Sequence, residues 1–195
     1  MSATQSKVKY PVLETERLRL SLPPSSFAPA MLDFVESNRQ HFARWDPTHE
    51  PDYYTIGFWR GRLDMAREEY RAGRSLRLVI THRDPAQTAV VGEANFNNII
   101  RGVFHACYLG YRIDHRAEGK GLMHEALTAA LDHVFREMNL HRVMANYIPH
   151  NERSGRLLRR LGFSVEGYAR DYLLIADEWE DHVLTVLSNP QWKRT

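Results

Sequence analysis

The most constraining feature of the sequence is an apolar stripe at helical spacing that begins directly after Gly121. Its members recur at steps of three and four residues: Met123, Ala126, Leu127, Ala130, Leu131, Val134, Phe135 and Met138. Such spacing places one face of a helix against a core. The segment just upstream, residues 106–113, is rich in apolar and aromatic residues, which is typical of a strand. The chain is therefore predicted to pass from a strand, through a short glycine-containing loop, into a buried helix.

The remaining segments predict a mixed sheet with helices interposed in a single domain, residues 1–195. Strands are predicted at residues 17–22, 76–80, 90–96, 142–148, 164–174 and 179–187. Helices are predicted to begin at Ser25-Ser26 and to cover residues 55–72 and 151–161, with Gly73 and Gly162 at the exits of the last two. No repeat or Gly/Ser linker divides the chain, and residues 1–10 are expected to be a flexible N-terminus.

Composition excludes several function classes. The 26 basic and 24 acidic residues are interspersed, so charge indicates neither a nucleic-acid nor a membrane surface. The single cysteine, Cys107, excludes an intramolecular disulfide and is expected to be buried in its strand. The ten histidines do not match zinc-site spacings, so no metal is predicted. Without an apolar leader or a long apolar run, we expect a cytoplasmic protein.

The loop before the long helix has the composition of an anion site. It comprises Arg116, Ala117, Glu118, Gly119, Lys120 and Gly121. Free N–H groups at a helix start, together with the helix dipole, favour a phosphate, and glycine lets it approach the backbone. A tight connection without a ligand is an equal alternative from this hexapeptide alone. Walker and dinucleotide motifs fit worse, since Gly121 follows Lys120 and His124 stands where a further glycine is needed.

Three motifs together resemble a known family, the GNAT acetyltransferases. They are Arg-x-x-Gly-x-Gly at residues 116–121, Asn-Glu-Arg-Ser at 151–154 and Leu-Gly-Phe at 161–163. Residues 104–111, 144–154 and 167–175 resemble most the RimJ branch of the RimJ/RimL group of ribosomal-protein N-terminal acetyltransferases. The resemblance implies an α/β (α+β) GNAT fold, with a mixed, mostly antiparallel sheet, helices on both faces and a splayed central strand pair.

The resemblance also implies acetyl-CoA as co-substrate. The 116–121 loop would cradle the pyrophosphate, with Leu122 and Asn151 assigned to the same site. Pantetheine would pair, like an added strand, with the backbone of five residues: Leu109, Gly110, Tyr111, Arg112 and Ile113. Backbone N–H groups near Leu109 and Gly110 would hold the oxyanion when an amine attacks the thioester directly in a ternary complex.

Catalytic side chains are harder to assign. Many family members carry a tyrosine at the position of Leu158, so Ser154, which matches the RimL-type Asn-x-x-Ser pattern, is the predicted acid. A helix-capping role for Ser154 or Asn151 is the alternative. The acidic residue expected as base falls at Leu173, which cannot accept a proton. Asp171, His105 and Glu93 remain as candidates, with His105 slightly favoured because its ordinary pKa suits an α-amine.

Three functions remain open. The resemblance favours acetylation of the N-terminal amine of an alanine-starting small-subunit ribosomal protein. The alternatives are acetylation of a free small amine, or a non-catalytic CoA-binding or ribosome-docking module. Trp45, Tyr53 and Trp59 are candidates for the acceptor wall, although core packing is favoured for them. We expect a monomer, a possible ribosome contact, and no direct binding of nucleic acid or membrane.

Overall fold

The computed structural model of the protein describes residues 9–194, which contain one eight-stranded sheet in the order β1-β2-β3-β4-β5-β6-β8-β7. The strands are β1 (Val12–Glu14), β2 (Leu18–Ser21), β3 (Leu76–His82), β4 (Val90–Ile100), β5 (Ala106–Ile113), β6 (Arg142–Met144), β7 (Ser164–Ile175) and β8 (Glu178–Ser188). All neighbours are antiparallel except β5 and β6, which run parallel. The predicted mixed, mostly antiparallel sheet is confirmed.

Helices cover both faces of this sheet. They are α1 (Ala28–Ser37), α2 (Arg39–Phe42), α3 (Ile56–Arg71), α4 (Leu122–Arg136) and α5 (Glu152–Arg160), with 3-10 turns at Ser25–Phe27, Pro51–Tyr54 and His115–Ala117. The apolar stripe of α4 is buried on one face, where Leu158 of α5 joins the same core. On the opposite face, residues of α1 and α3, among them Phe34 and Trp59, pack with Val79 and Val90 of the sheet.

The central strand pair splays. Strand β5 pairs with β4 over its whole length, but with β6 only through Ala106, Cys107 and Tyr108. Beyond Tyr108 the two parallel strands separate, and the chain after β6 bonds to β8 instead, with the Ala145 N–H donating to the carbonyl of Thr185 at 3.0 Å. The strand predicted for residues 142–148 is therefore shorter than expected. The edge of β5 from Leu109 to Ile113 is left without a neighbouring strand.

Side chains on β5 alternate between the two faces. Leu109 belongs to the core under α4, whereas Arg112 lies over the rings of Phe34 and Phe42 on the other face. Tyr108, Gly110 and Arg112 therefore share the face of α1 and α3, because successive strand residues point to opposite sides. The gap between β5 and β6 beyond Tyr108, called the splay below, thus has a different chemical environment on each face of the sheet.

Two short elements, β1 and α2, were not predicted. β1 and α2 contain three and four residues, too few for a periodic pattern. Residues 1–8 of the predicted flexible N-terminus lie outside the described residues, while the ring of Tyr10 packs under Arg67 at 4.2 Å. None of the helices within residues 9–194 is long and apolar enough to cross a lipid bilayer.

Candidate active site

The loop between β5 and α4 presents free backbone N–H groups at a helix start. Gly119 and Gly121 have φ angles of 72° and 74°, in the left-handed region that glycine adopts without strain. Over residues 9–194, no acceptor takes the N–H groups of Gly119, Lys120 and Gly121. Leu122 is the first residue of α4, whose dipole is positive at this end. The geometry suits a phosphate group.

Side chains from the β1–β2 turn, α2 and α5 fix this loop. Arg17 donates to the carbonyl of Lys120 at 3.0 Å and pairs with Glu125 of α4 at 2.6 Å. Glu118 pairs with Arg153 of α5 at 2.5 Å and with His41 of α2 at 3.3 Å. These anchors were missed from sequence because each joins residues distant in the chain.

Asp114 orders the entry to the loop. It is buried, and its carboxylate accepts from the backbone N–H of Arg116 at 2.7 Å and from the Arg116 guanidinium at 2.6 Å. The side-chain hydrogen bonds from Arg116 lower the pKa of Asp114 to about 2. The Arg116 side chain is thus held back against the end of β5, while the loop backbone remains open to a ligand.

Ser154 and Tyr111 meet on the α4–α5 side of the splay. The Ser154 hydroxyl lies 2.7 Å from the Tyr111 hydroxyl, and the Asn151 Oδ1 accepts from the Ser154 N–H at 3.1 Å as the N-cap of α5. Burial raises the pKa of Tyr111 to about 12, so this phenol stays protonated at neutral pH. The ring of Tyr147 occupies the space beside Gly155, where an added Cβ would approach it to 2.8 Å.

The candidate bases do not gather around Ser154. His105, with φ of 43°, precedes the closed end of the β5–β6 pair and packs against Trp192 with ring centroids 5.2 Å apart. Asp171 is exposed in a β-bulge, with φ of 45°, and its N–H donates to Asp181 at 2.9 Å. Glu93 is buried, and its carboxylate accepts from Arg112 at 2.6 Å.

A cavity of about 290 Å³ opens on the α1–α3 face beside Arg112. Its lining includes charged and aromatic groups, among them Asp46, His49 and Tyr53. Trp59 is buried in the core and donates from its Nε1 to the Tyr53 carbonyl at 3.0 Å, whereas Trp45 lies against His150. Of the three aromatic candidates for the acceptor wall, Tyr53 lines this cavity.

A polar group that sequence reasoning missed lies where the splay closes. The Tyr172 hydroxyl accepts from the Asn146 Nδ2 at 3.2 Å. Burial, with Tyr108 as a further neighbour, raises the pKa of Tyr172. Tyr108, a neighbour of Tyr172, is the last residue of β5 that pairs with β6. The expected separation of the central strands was therefore the one feature that could have directed attention to this group.

Two further sequence expectations concern nucleophiles and metals. Cys107 is fully buried, and burial raises the pKa of its thiol to about 12. Within the described part of the chain, no group of three or more His, Cys, Asp or Glu side chains is arranged to hold a metal ion. At a pKa of about 12 the Cys107 thiol stays protonated at neutral pH and supplies no thiolate nucleophile.

Comparison with known proteins agrees with this geometry. The model of an acetyltransferase (GNAT) domain matches residues 17–164. A [ribosomal protein uS5]-alanine N-acetyltransferase of Escherichia coli is 45% identical over 192 residues, 98% of each chain. The crystal structure of a ribosomal-protein-S5-alanine acetyltransferase from Vibrio fischeri superposes with a TM-score of 0.89 at 36% identity, covering 94% of this chain and 100% of that one. RimJ of Mycobacterium smegmatis, in complex with CoA-disulfide, gives 0.84 at 25% identity, covering 95% and 90%.

Proposed function

Because the chain belongs to the GNAT acetyltransferase family, we propose that it transfers the acetyl group of acetyl-CoA to the N-terminal amine of an alanine-starting ribosomal protein of the small subunit. One observation carries the choice of acceptor. The chain is 45% identical, over 98% of both lengths, to a uS5-alanine N-acetyltransferase. A non-catalytic CoA-binding module and an acetyltransferase for free small amines are the alternatives.

The loop and the splay support the placement of acetyl-CoA. The pyrophosphate lies on the free N–H groups of residues 119–121, within the predicted 116–121 cradle. Pantetheine then follows the unpaired edge of β5 from Leu109 to Ile113 and hydrogen-bonds to it as an added strand would. The thioester reaches the level of Leu109 and Gly110, where backbone N–H groups hold the oxyanion.

Ser154 supplies a proton to the leaving group in this proposal. The amine attacks the thioester carbon, the C–N bond forms, and the C–S bond breaks to release the thiolate of CoA. The phenol of Tyr111, which is protonated at neutral pH, donates to the Ser154 oxygen. The Ser154 proton is then free to pass to sulfur. His105, Asp171 and Glu93 stay predictions for the base that takes the amine proton.

The proposed acceptor indicates where in the cell the protein acts. Ribosomal proteins are synthesised in the cytoplasm, so we propose that the protein acts there, as a monomer. The protein binds the acceptor N-terminus as a peptide and does not bind nucleic acid directly. A contact with the assembled ribosome is not required for this reaction, although the proposal is compatible with one.

A peptide assay tests the proposed function. The protein is incubated with acetyl-CoA and a peptide that starts with alanine, and intact-mass spectrometry measures the gain of one acetyl group. We expect a gain at the α-amine, located by fragmentation. The matched peptides are the same sequence starting with serine, and an N-terminally blocked form with one lysine. Transfer to free small amines but not to the alanine peptide contradicts the proposal, as does CoA binding without transfer to any amine.

A further inference from the structure

Three polar side chains of β4 lie in a row on the α1–α3 face of the splay. Glu93, Asn95 and Asn97 are two residues apart in the strand and therefore share a face. In the antiparallel register they lie opposite Arg112, Gly110 and Tyr108 of β5, respectively. The row therefore runs along β4, next to the part of β5 where the proposed thioester lies, on the face opposite Ser154.

Two atoms of this row have no partner in the described part of the chain. The Oδ1 atoms of Asn95 and Asn97 are both buried and accept no hydrogen bond. The Asn97 Nδ2 donates to the carbonyl of Asn95 at 3.4 Å, which commits the nitrogen end of that amide to the backbone. Buried acceptors without donors are rare in folded proteins, because they lose their hydrogen bonds to water. Two such oxygens side by side indicate a binding site for a ligand with N–H or O–H donors.

Gly110 leaves open space beside these two atoms. A Cβ built on Gly110 would meet no heavy atom within 4 Å, although the residue lies within a sheet. Directly opposite residues of an antiparallel pair have Cβ positions about 4.5 to 5.5 Å apart, so the Asn95 side chain borders this space. Any side chain larger than glycine would fill the gap between the asparagine row and the β5 backbone.

We propose that Asn95 and Asn97 hold the α-amine of the acceptor above Gly110 through their carboxamide oxygens. The inference rests on the proposed function and names the residues that orient its nucleophile. A neutral primary amine has two N–H donors and one lone pair. When the two Oδ1 atoms accept the two N–H groups, the lone pair is left to face the thioester carbon across β5.

Neutral hydrogen-bond acceptors such as amide oxygens suit the orientation of an amine better than carboxylates do. An amine must lose its ammonium proton before it attacks, and a nearby negative charge would favour the charged form. The amide oxygen binds N–H groups without that penalty. The charged and titratable groups that face the row are Arg77 of β3, Glu93 of β4, Tyr108 and Arg112 of β5, and Arg62 and Glu69 of α3.

The test compares Asn95→Ala and Asn97→Ala with the wild type. We expect kcat/KM for the alanine peptide to fall about tenfold in each variant, the effect of losing one hydrogen bond to the reacting group. The affinity for CoA, measured by titration calorimetry, stays unchanged. The matched control is Asn98→Gly, which removes an exposed carboxamide from the same strand and suits its φ of 52°. It should retain the wild-type kcat/KM.

A pH profile separates amine orientation from a structural role. Asn95→Asp places a carboxylate beside the bound amine, favours the ammonium, and should move the acidic limb of kcat, measured at saturating peptide and acetyl-CoA, to higher pH because kcat reports titration in the bound complex. Wild-type kcat/KM in both alanine variants, or an unmoved limb in Asn95→Asp, overturns the inference while leaving the proposed function intact. A wild-type enzyme that does not acetylate the alanine peptide overturns the proposed function, and the inference with it.

Discussion

At the residue scale, the hydroxyl of Ser154 is the group whose removal tests the acid chemistry. Ser154→Ala should lower kcat about a hundredfold at saturating acetyl-CoA and peptide, because general acid catalysis typically contributes at least that factor. Tyr111→Phe should lower kcat less, since the serine hydroxyl remains although its 2.7 Å partner is lost. Steady-state kinetics on both variants, with CoA affinity as a second measurement, gives the comparison.

The matched control for this pair is Ser164→Ala. Ser164 is the first residue of β7, where it pairs with Val186 of β8, and its hydroxyl donates to the Val186 carbonyl at 3.4 Å. It should keep the wild-type kcat. If Ser154→Ala also keeps it, Ser154 serves α5 only as a first-turn residue beside its Asn151 cap, and the proton reaches sulfur by another route.

At the element scale, the segment joining β5 to α4 depends on the charge of Asp114. Hydrogen bonds from Arg116 hold its pKa near 2, below the ordinary 3.8, so the folded state binds this proton less readily than the unfolded chain. The carboxylate therefore stabilises the fold above about pH 4, and this contribution is lost as the pH falls toward 2. Asp114→Asn should lower the free energy of unfolding at neutral pH and flatten its acid dependence.

Urea denaturation at a series of pH values measures both effects. Asp64→Asn removes an exposed carboxylate from α3 and should leave the wild-type acid dependence in place. An equal acid dependence in Asp114→Asn and the wild type would show that the loop is ordered by its backbone turns rather than by this carboxylate.

Elements with a long local pattern could be predicted, whereas the sites between them could not. The onset of α4 and both ends of β5 agree with the sequence because periodicity, strand composition and loop glycines are local signals. The residues predicted from 116 to 122 consequently lie together. The end of β6 at Met144 was missed, since it depends on which neighbour the chain bonds to. The environments of His105 and Asp171 could not be predicted, because they depend on positive φ angles and on contacts with Trp192 and Asp181 that no local pattern shows.

At the scale of the whole molecule, Arg112 joins β5 to the elements that cover the α1–α3 face of the sheet. Its guanidinium donates to Glu93 at 2.6 Å and to Asp46 at 2.9 Å. Asp46 lies in the segment after α2, and its carbonyl accepts from the N–H of Ala176 in the β7–β8 turn at 3.3 Å. One cation, whose side chain is 16% exposed, thus connects the sheet, the helical face and the hairpin around the 290 Å³ cavity.

Replacing Arg112 with an apolar residue of similar length should lower the free energy of unfolding of the whole protein. Arg112→Met leaves Glu93 and Asp46 without their cation, and removing one partner of a buried pair costs about 3 to 5 kcal/mol. We expect a loss of that order in urea denaturation, together with a raised KM for the peptide and little change in CoA affinity. Adding Glu93→Gln to Arg112→Met should restore part of the stability, because the unpaired buried charge is then gone. If the double variant is as unstable as the sum of the single ones, Arg112 and Glu93 act independently, and packing of the guanidinium on Phe34 and Phe42 accounts for the loss.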